Sequence, residues 1–374
     1  MDSIRIVIEG QGATPSAVSV FSVGAGGINP ISENEKARGG SEMKSRLKEV
    51  PVGEAVGLVL AHDLTVIDPG KYKGPRFRKG HRIREEDIEE LLRIGKEHVY
   101  VLELAEGELH EDEAAERIAR SAAGPHLART EPKEGKVNLV AEVQGLLRID
   151  VEAVTAINRV EQVALSTLRT YTPVEKGQTV AATRVIPLVF PEASIREVEK
   201  IAAGRERPVV EVVPFRPHRV GVVTTGSEVY HGRIEDRFGP VVREKVEKYG
   251  STVVGQTFAT DDKGMIRDQI RAFVDQGVDM VLVTSGMSVD PDDRTPGAIA
   301  SLGAEIITYG TPILPGTMLM IAYYRQIPIL GLPGCVLHDP YTSFDHFLPR
   351  ILAGEKITRD DVVILGHGGL LHSC

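Results

Sequence analysis

The sequence has no tryptophan and only two cysteines, Cys335 and Cys374, so no disulfide framework can staple it and a reducing cytoplasm is the expected setting. It also lacks an excess of positive charge: 44 Lys and Arg stand against 53 Asp and Glu, a formal net charge of −9. A protein that tracks a duplex needs basic residues to neutralise phosphates, so a general nucleic-acid binder is excluded. No apolar run approaches the roughly 20 residues that span a bilayer, and no membrane partner is expected. Nor is a secretory leader expected, because the apolar run at 18–23 is short and follows Glu9 rather than a basic region. At 374 residues the chain is too long for one core and is expected to hold several domains.

What is present is concentrated in the C-terminal part. The runs VGVVTTGSEVYHGRI (220–234), MVLVTSGMSVDPDD (280–293) and PILGLPGCV (328–336) are each an apolar, β-branched strand that stops at a small, glycine-rich turn. In a parallel α/β sheet such turns meet at the C-terminal ends of the strands, where backbone N–H groups form an anion site. The candidate ligand contacts are Thr224, Thr225, Gly226 and Ser227 in the first turn. Ser285, Gly286, Met287 and Ser288 belong to the second, and Pro333, Gly334 and Cys335 to the third. Gly226 and Gly286 let backbone approach a phosphate, and Gly334 is expected to take the positive φ of a Pro-Gly turn. The hydroxyls offer hydrogen bonds. Glu228, Asp236, Asp290, Asp292 and Asp293 are hard oxygen ligands that suit Mg²⁺ beside a phosphate, with Asp290, Asp292 and Asp293 as the expected metal cluster. Thr295 is expected to cap the helix that follows, with Pro296 in its first turn.

These motifs resemble those of a known family. TTGSE (224–228) is similar to the S/T-T-G-D-E turn of the molybdopterin-binding domain in molybdenum-cofactor biosynthesis proteins, the molybdopterin molybdotransferase and gephyrin-like group. TSGMSVDPDD (284–293) looks like its S-G-G-V-S-V-G-x-x-D, and GLPGC (331–335) looks like its G-L-P-G-N. FATDD, the SVDPDD-T-P run, L-P-G-C-V and GHGGL are similar to a shorter subgroup described as molybdopterin-binding proteins. The resemblance implies a pterin-phosphate ligand, molybdopterin or its adenylylated form, handled in cofactor biosynthesis. It places catalytic roles on Glu228 and Asp293 and implies Mg²⁺, a homodimer, and molybdoenzymes or other cofactor-biosynthesis proteins as partners. The enzyme class stays open. A molybdotransferase that inserts molybdate with Mg²⁺ is the alternative, and a nucleotide pyrophosphatase is a further one. Ser227 replaces an Asp of the pattern, Ser285 a Gly, Cys335 an Asn, and Thr317 the Lys of P-G-K-P. The chain also ends before the extra C-terminal β domain of full-length molybdotransferases. Binding is therefore expected to survive these departures better than catalysis.

The fold class expected is α/β: a three-layer, mostly parallel C-terminal domain at 216–374, preceded by smaller mixed and β-rich domains. Residues 1–42 read as a flexible extension without strand or helix period. Residues 43–104 read as a small mixed domain, with Ile88, Leu91 and Leu92 on one helical face closed by Gly95. Within it Lys71, Lys73, Arg76, Arg78, Lys79, Arg82 and Arg84 form a basic loop, expected to be a solvated surface or else a phosphate clamp. Residues 105–215 read as a β-rich accessory domain in which Asp150 caps a short helix.

Overall fold

The computed structural model describes residues 4–8, 19–24, 27–30, 47–68, 72–287 and 294–371. The chain divides into two compact units: 1–117 with 132–136 and 184–197, and 118–131 with 137–183 and 198–374.

In the second unit the β-branched runs pair into one six-stranded sheet. Its strands are β1 (Arg219–Thr225), β2 (Thr252–Ala259), β3 (Met280–Thr284), β4 (Glu305–Tyr309), β5 (Met320–Tyr324) and β6 (Ile327–Leu332), in the order β2-β1-β3-β6-β5-β4. The first four in that order are parallel, and β5 and β4 complete the edge antiparallel. Strands covered on both faces need apolar side chains at every position. All five residues of β3 are accordingly buried.

Helices cover both faces. Helices α1 (Phe238–Glu247) and α4 (Ser343–Leu352) pack with Val220, Val222 and Leu282 on one side. Helices α2 (Lys263–Asp275) and α3 (Thr295–Ser301) pack with Val223, Val281 and Val283 on the other. The three-layer α/β fold follows from this alternation of side chains along each strand. Helix α2 starts where the Asp262 carboxylate accepts the Met265 amide at 2.7 Å, and it buries Ile266, Ile270, Phe273 and Val274. Phe273 reaches the sheet because Gly221 leaves space: a Cβ there would lie 2.5 Å from its ring.

The same unit holds a three-stranded antiparallel sheet in which Gly145–Ile149 pairs with Pro173–Val174 and Val210–Pro214. Asp150 caps the helix Val151–Ile157 as the sequence indicates, accepting from the Ala153 amide at 2.9 Å.

The first unit has its own core, with Val50, Leu60, Leu64, Phe77, Ile83, Leu91, Val99 and Val101 buried. Two sequence expectations change here. The stretch read as a flexible extension contains strands Ile4–Ile8, Ser19–Gly24 and Gly27–Pro30 in an antiparallel sheet, and the rest of 1–42 lies outside the described residues. The β-branched runs IRIVI and VSVFSV have the composition for strands. Leu92, expected on the buried face of helix Asp87–Arg93, is 53% exposed, because Leu91, with partly buried Ile88, faces the core and Leu92 is turned about 100° further away. Gly95 closes that helix with φ 77°, as expected.

Candidate functional site

The chain leaves β1 for β2 on one side and then crosses to β3 on the other, so the order reverses at the carboxyl ends of β1 and β3. Open α/β sheets bind ligands at such a switch point. A cleft of about 400 Å³ opens there, lined by Thr224, Glu228, Val229, Ile234, Glu235, Asp236, Arg237, Phe238, Ser285 and Leu337.

Its floor is two turns held by their own hydroxyls. Thr225 is buried and its Oγ1 donates to the Thr284 carbonyl at 3.0 Å. Gly226 sits at φ 130°, where a side chain is strained, and leads into the helical turn Ser227–Tyr230. Ser285 and Gly286 follow β3 with φ 68° and 63°. A Cβ on Gly286 would lie 2.8 Å from Thr295 Oγ1 and 3.2 Å from Thr225 Oγ1. Glycine is thus demanded at Gly226 and Gly286 by backbone conformation, and at Gly286 by packing as well.

Several expected roles shift. Thr295 does not cap α3; it is the first helical residue, and its hydroxyl donates to the Ser285 carbonyl at 3.1 Å, tying the helix to the turn. Thr224 is buried, and its Oγ1 accepts from Gln256 Nε2 at 2.9 Å. Met287 points its side chain into the core, where Gly331 makes room for its sulfur, while its carbonyl accepts from Tyr309 Oη at 3.0 Å. Asp236 is committed to structure: it accepts from the Phe238 and Gly239 amides that open α1, and from Gln256 Nε2 at 2.6 Å. Gly334 does not adopt positive φ; after extended Pro333 it begins the tight helical turn Gly334–Leu337. Pro333, Gly334 and the half-buried Cys335 form that turn, but its contribution to the cleft wall is Leu337. Ser288, Asp290, Asp292 and Asp293 lie outside the described residues, as does Cys374.

Glu228 is an exposed carboxylate in the cleft wall, and it makes no ion pair among the described residues. Arg237 is the cation in that wall and is likewise unpaired among the described residues. Asp261 was not singled out from sequence, yet it binds the Ser227 amide at 3.0 Å and the Ser227 hydroxyl at 2.8 Å, joining the end of β2 to the end of β1. Its signal was the FATDD run, whose second acid caps α2 while the first reaches across. In the first unit, the basic loop is largely neutralised at home by the pairs Arg76–Glu90, Lys79–Glu111, Arg82–Glu113 and Arg84–Glu86.

A doubly wound sheet with glycine turns at its switch point defines the C-terminal domain as an α/β ligand-binding domain. Residues 221–353, about a third of the chain, match the family model described as the probable molybdopterin binding domain. Residues 49–103 match a domain of unknown function. The chain is 36% identical over 83 residues to a molybdenum cofactor biosynthesis bifunctional protein of Synechococcus elongatus, a stretch covering 22% of this chain and 26% of that protein. It is 33% identical over 90 residues to a CinA-like protein of Mycobacterium tuberculosis, covering 24% of this chain and 21% of that one. The match thus spans about a quarter of the length of these curated relatives. Among solved structures, the molybdopterin biosynthesis enzyme MoaB of Thermus thermophilus is 22% identical with a TM-score of 0.32, covering 37% of this chain and 98% of that one. The tungsten cofactor synthesizing protein MoaB of Pyrococcus furiosus is 20% identical with a TM-score of 0.31, covering 37% and 96%. Among the described residues, no helix is long and apolar enough to cross a membrane.

Proposed function

We propose that the switch-point cleft binds molybdopterin or its adenylylated form during cofactor biosynthesis or handling, with little turnover of its own. The observation that carries this reading is the meeting of the turns at 225–228 and 285–287 in one cleft with an unpaired arginine, within a domain of the molybdopterin-binding family. Arg237 offers a phosphate a charge-assisted, bidentate partner, and Glu228 and the backbone of Ser285 frame it. Pterin fluorescence and mass measured on an extract of the purified protein test the ligand class, and finding neither pterin nor restored binding of added pterin would end the proposal.

Mg²⁺ fits this cleft in a limited way. Among the described residues, no three His, Cys, Asp or Glu gather into a metal site. Glu228 and Glu235 line the cleft, and one or two carboxylates together with phosphate oxygens and water suffice for Mg²⁺. Those two would hold the ion, which would offset repulsion between the carboxylates and an anionic ligand. Asp290, Asp292 and Asp293 are proposed as further ligands. Affinity that stays equal when a chelator is added counts against the ion.

A second reading is molybdate insertion, with Glu228 and Asp293 as catalytic residues. It is favoured by the open, unpaired carboxylate of Glu228 in the cleft. Against it stands Thr317 in place of the family's lysine, its hydroxyl spent on the Ile313 carbonyl at 3.2 Å. Adenylate release from adenylylated molybdopterin with Mg²⁺ and molybdate is expected to be weak; brisk release abolished by Glu228→Ala establishes the enzyme. A nucleotide pyrophosphatase is the third reading, distinguished by pyrophosphate-bond cleavage without pterin. A cytoplasmic homodimer that serves molybdoenzymes or other cofactor-biosynthesis proteins completes the proposal, and light scattering tests the dimer.

A further inference from the structure

We infer that the C-terminal unit carries a second small-molecule site, a mostly apolar cavity suited to a planar aromatic anion. The cavity measures about 700 Å³ and shares no lining residue with the switch-point cleft. Its volume lies within the roughly 300–1,000 Å³ range of ligand pockets, which combine apolar walls with a few convergent polar groups. The walls come from the segment after strand Val163–Thr167, from Ile313, from the start of α4, and from residues 364–371.

The enclosure is built rather than incidental. The GHGGL tail is pinned beside Leu314: the Leu314 amide donates to the Gly369 carbonyl at 2.8 Å, and the Leu371 amide returns the bond to the Leu314 carbonyl at 2.8 Å. A Cβ on Gly369 would collide with the Pro312 carbonyl, so only glycine permits this approach. On the facing wall Tyr171 sits at φ 65°, a left-handed conformation that is costly for a bulky residue. The Arg350 guanidinium holds its ring at 3.9 Å, itself fixed by Glu355 at 2.7 Å and Asp361 at 2.6 Å. Backbone strain maintained by a surrounding network clusters at ligand sites.

The polar groups indicate the ligand's chemistry. His346 lines the cavity, and its buried Nε2 has no hydrogen-bond partner. Burial, aided by the nearby Arg350 charge, pushes this imidazole down to about 4, so it is neutral at pH 7 and adds no charge to the wall. Arg169 stands exposed at the edge and makes no ion pair among the described residues. Leu168 beside it is 37% exposed. Apolar walls favour a ring, and the unpaired arginine at the edge favours an anionic substituent.

The probe is 8-anilinonaphthalene-1-sulfonate titrated into the full chain. One saturable site per chain is expected, and Arg169→Ala and Leu168→Glu each weaken it about tenfold, the effect of losing or opposing a charge-assisted contact. Arg237→Ala, in the switch-point cleft, leaves the affinity unchanged. Both rim positions are exposed, and circular dichroism confirms the fold; Arg169→Gln replaces either variant that fails to fold. Unsaturable binding, equal affinity in the rim variants, or loss in Arg237→Ala overturns the inference. So does probe binding that disappears as light scattering shows a dimer forming, because the cavity is then a subunit contact.

Discussion

The two cavities of the C-terminal unit are made by opposite means. The switch-point cleft is shaped by backbone: Gly226, Ser285 and Gly286 hold left-handed or glycine-only conformations, and the hydroxyls of Thr225, Thr295 and Tyr309 are spent on fixing carbonyls of the turn after β3. The second cavity is enclosed mainly by side chains of distant segments, residues 149–173, 313, 341–346 and 364–371, with the glycines of the last run pinned beside Leu314. One is polar and leaves Glu228 and Arg237 open to a ligand; the other is apolar and displaces the titration of His346. The difference teaches that a turn-built site is written in short contiguous motifs, whereas a wall-built site is scattered over segments that only the fold brings together.

The sharpest test of the backbone side is Gly286→Val. A β-branched residue at φ 63°, with its Cβ 2.8 Å from Thr295 Oγ1, combines left-handed strain with overpacking, and a loss of about 3 kcal/mol or more is expected in urea unfolding. A loss below about 1 kcal/mol would show the turn to be pliant and erase the contrast.

The side-chain cavity is tested by pH. The folded pKa of His346 is about 4 against 6.5 for the free group, so above pH 6.5 both states are neutral and the histidine has no effect on stability. As pH falls from 6.5 toward 4 the unfolded chain binds a proton that the folded one refuses, and stability declines by about 3 kcal/mol in all. His346→Phe removes this part of the decline; an unchanged profile in thermal unfolding means the imidazole is hydrated. A smaller effect is expected from Asp261→Ala, which breaks two bonds to Ser227 and costs about 2 kcal/mol. If it costs nothing, the ends of β1 and β2 are held independently.

The smallest structural effect belongs to Gly334→Ala. An added Cβ there meets nothing within 4 Å and no positive φ is needed, so stability changes by less than about 0.5 kcal/mol. If that glycine exists for close approach of the ligand, pterin affinity falls about tenfold at constant stability, a difference of about 1.4 kcal/mol. Equal affinity removes the third turn from the site.

Much of the C-terminal domain was legible because its elements are locally determined. Strand β1 (219–225) ends at the TTG turn of the run at 220–234, and α2 carries an i, i+4, i+7, i+8 apolar face, Ile266, Ile270, Phe273 and Val274, that is written locally. Roles set by long-range geometry were not legible. Thr295 looks like a cap in sequence and acts as a tie to Ser285; Asp236 looks like a metal ligand and is consumed by α1 and Gln256. Of the His346 cavity only the GHGGL run stood out, without its role, since its walls lie up to 222 residues apart, Ile149 to Leu371. The first unit was misread where glycine and serine diluted strand runs, as between Ile4 and Pro30.

The ties on the turn after β3 bear on timing. With Thr284, Ser285 and Met287 carbonyls each held by a hydroxyl from a different element, this part of the cleft has its shape before a ligand arrives. Preorganised sites lose little freedom on binding, so capture is governed by encounter and discrimination by residence time. If the ligand is the pterin proposed above, a long-lived bound state on a rigid cradle amounts to safekeeping, and the expected signature is an association rate insensitive to loosening mutations such as Thr225→Ala while the dissociation rate rises.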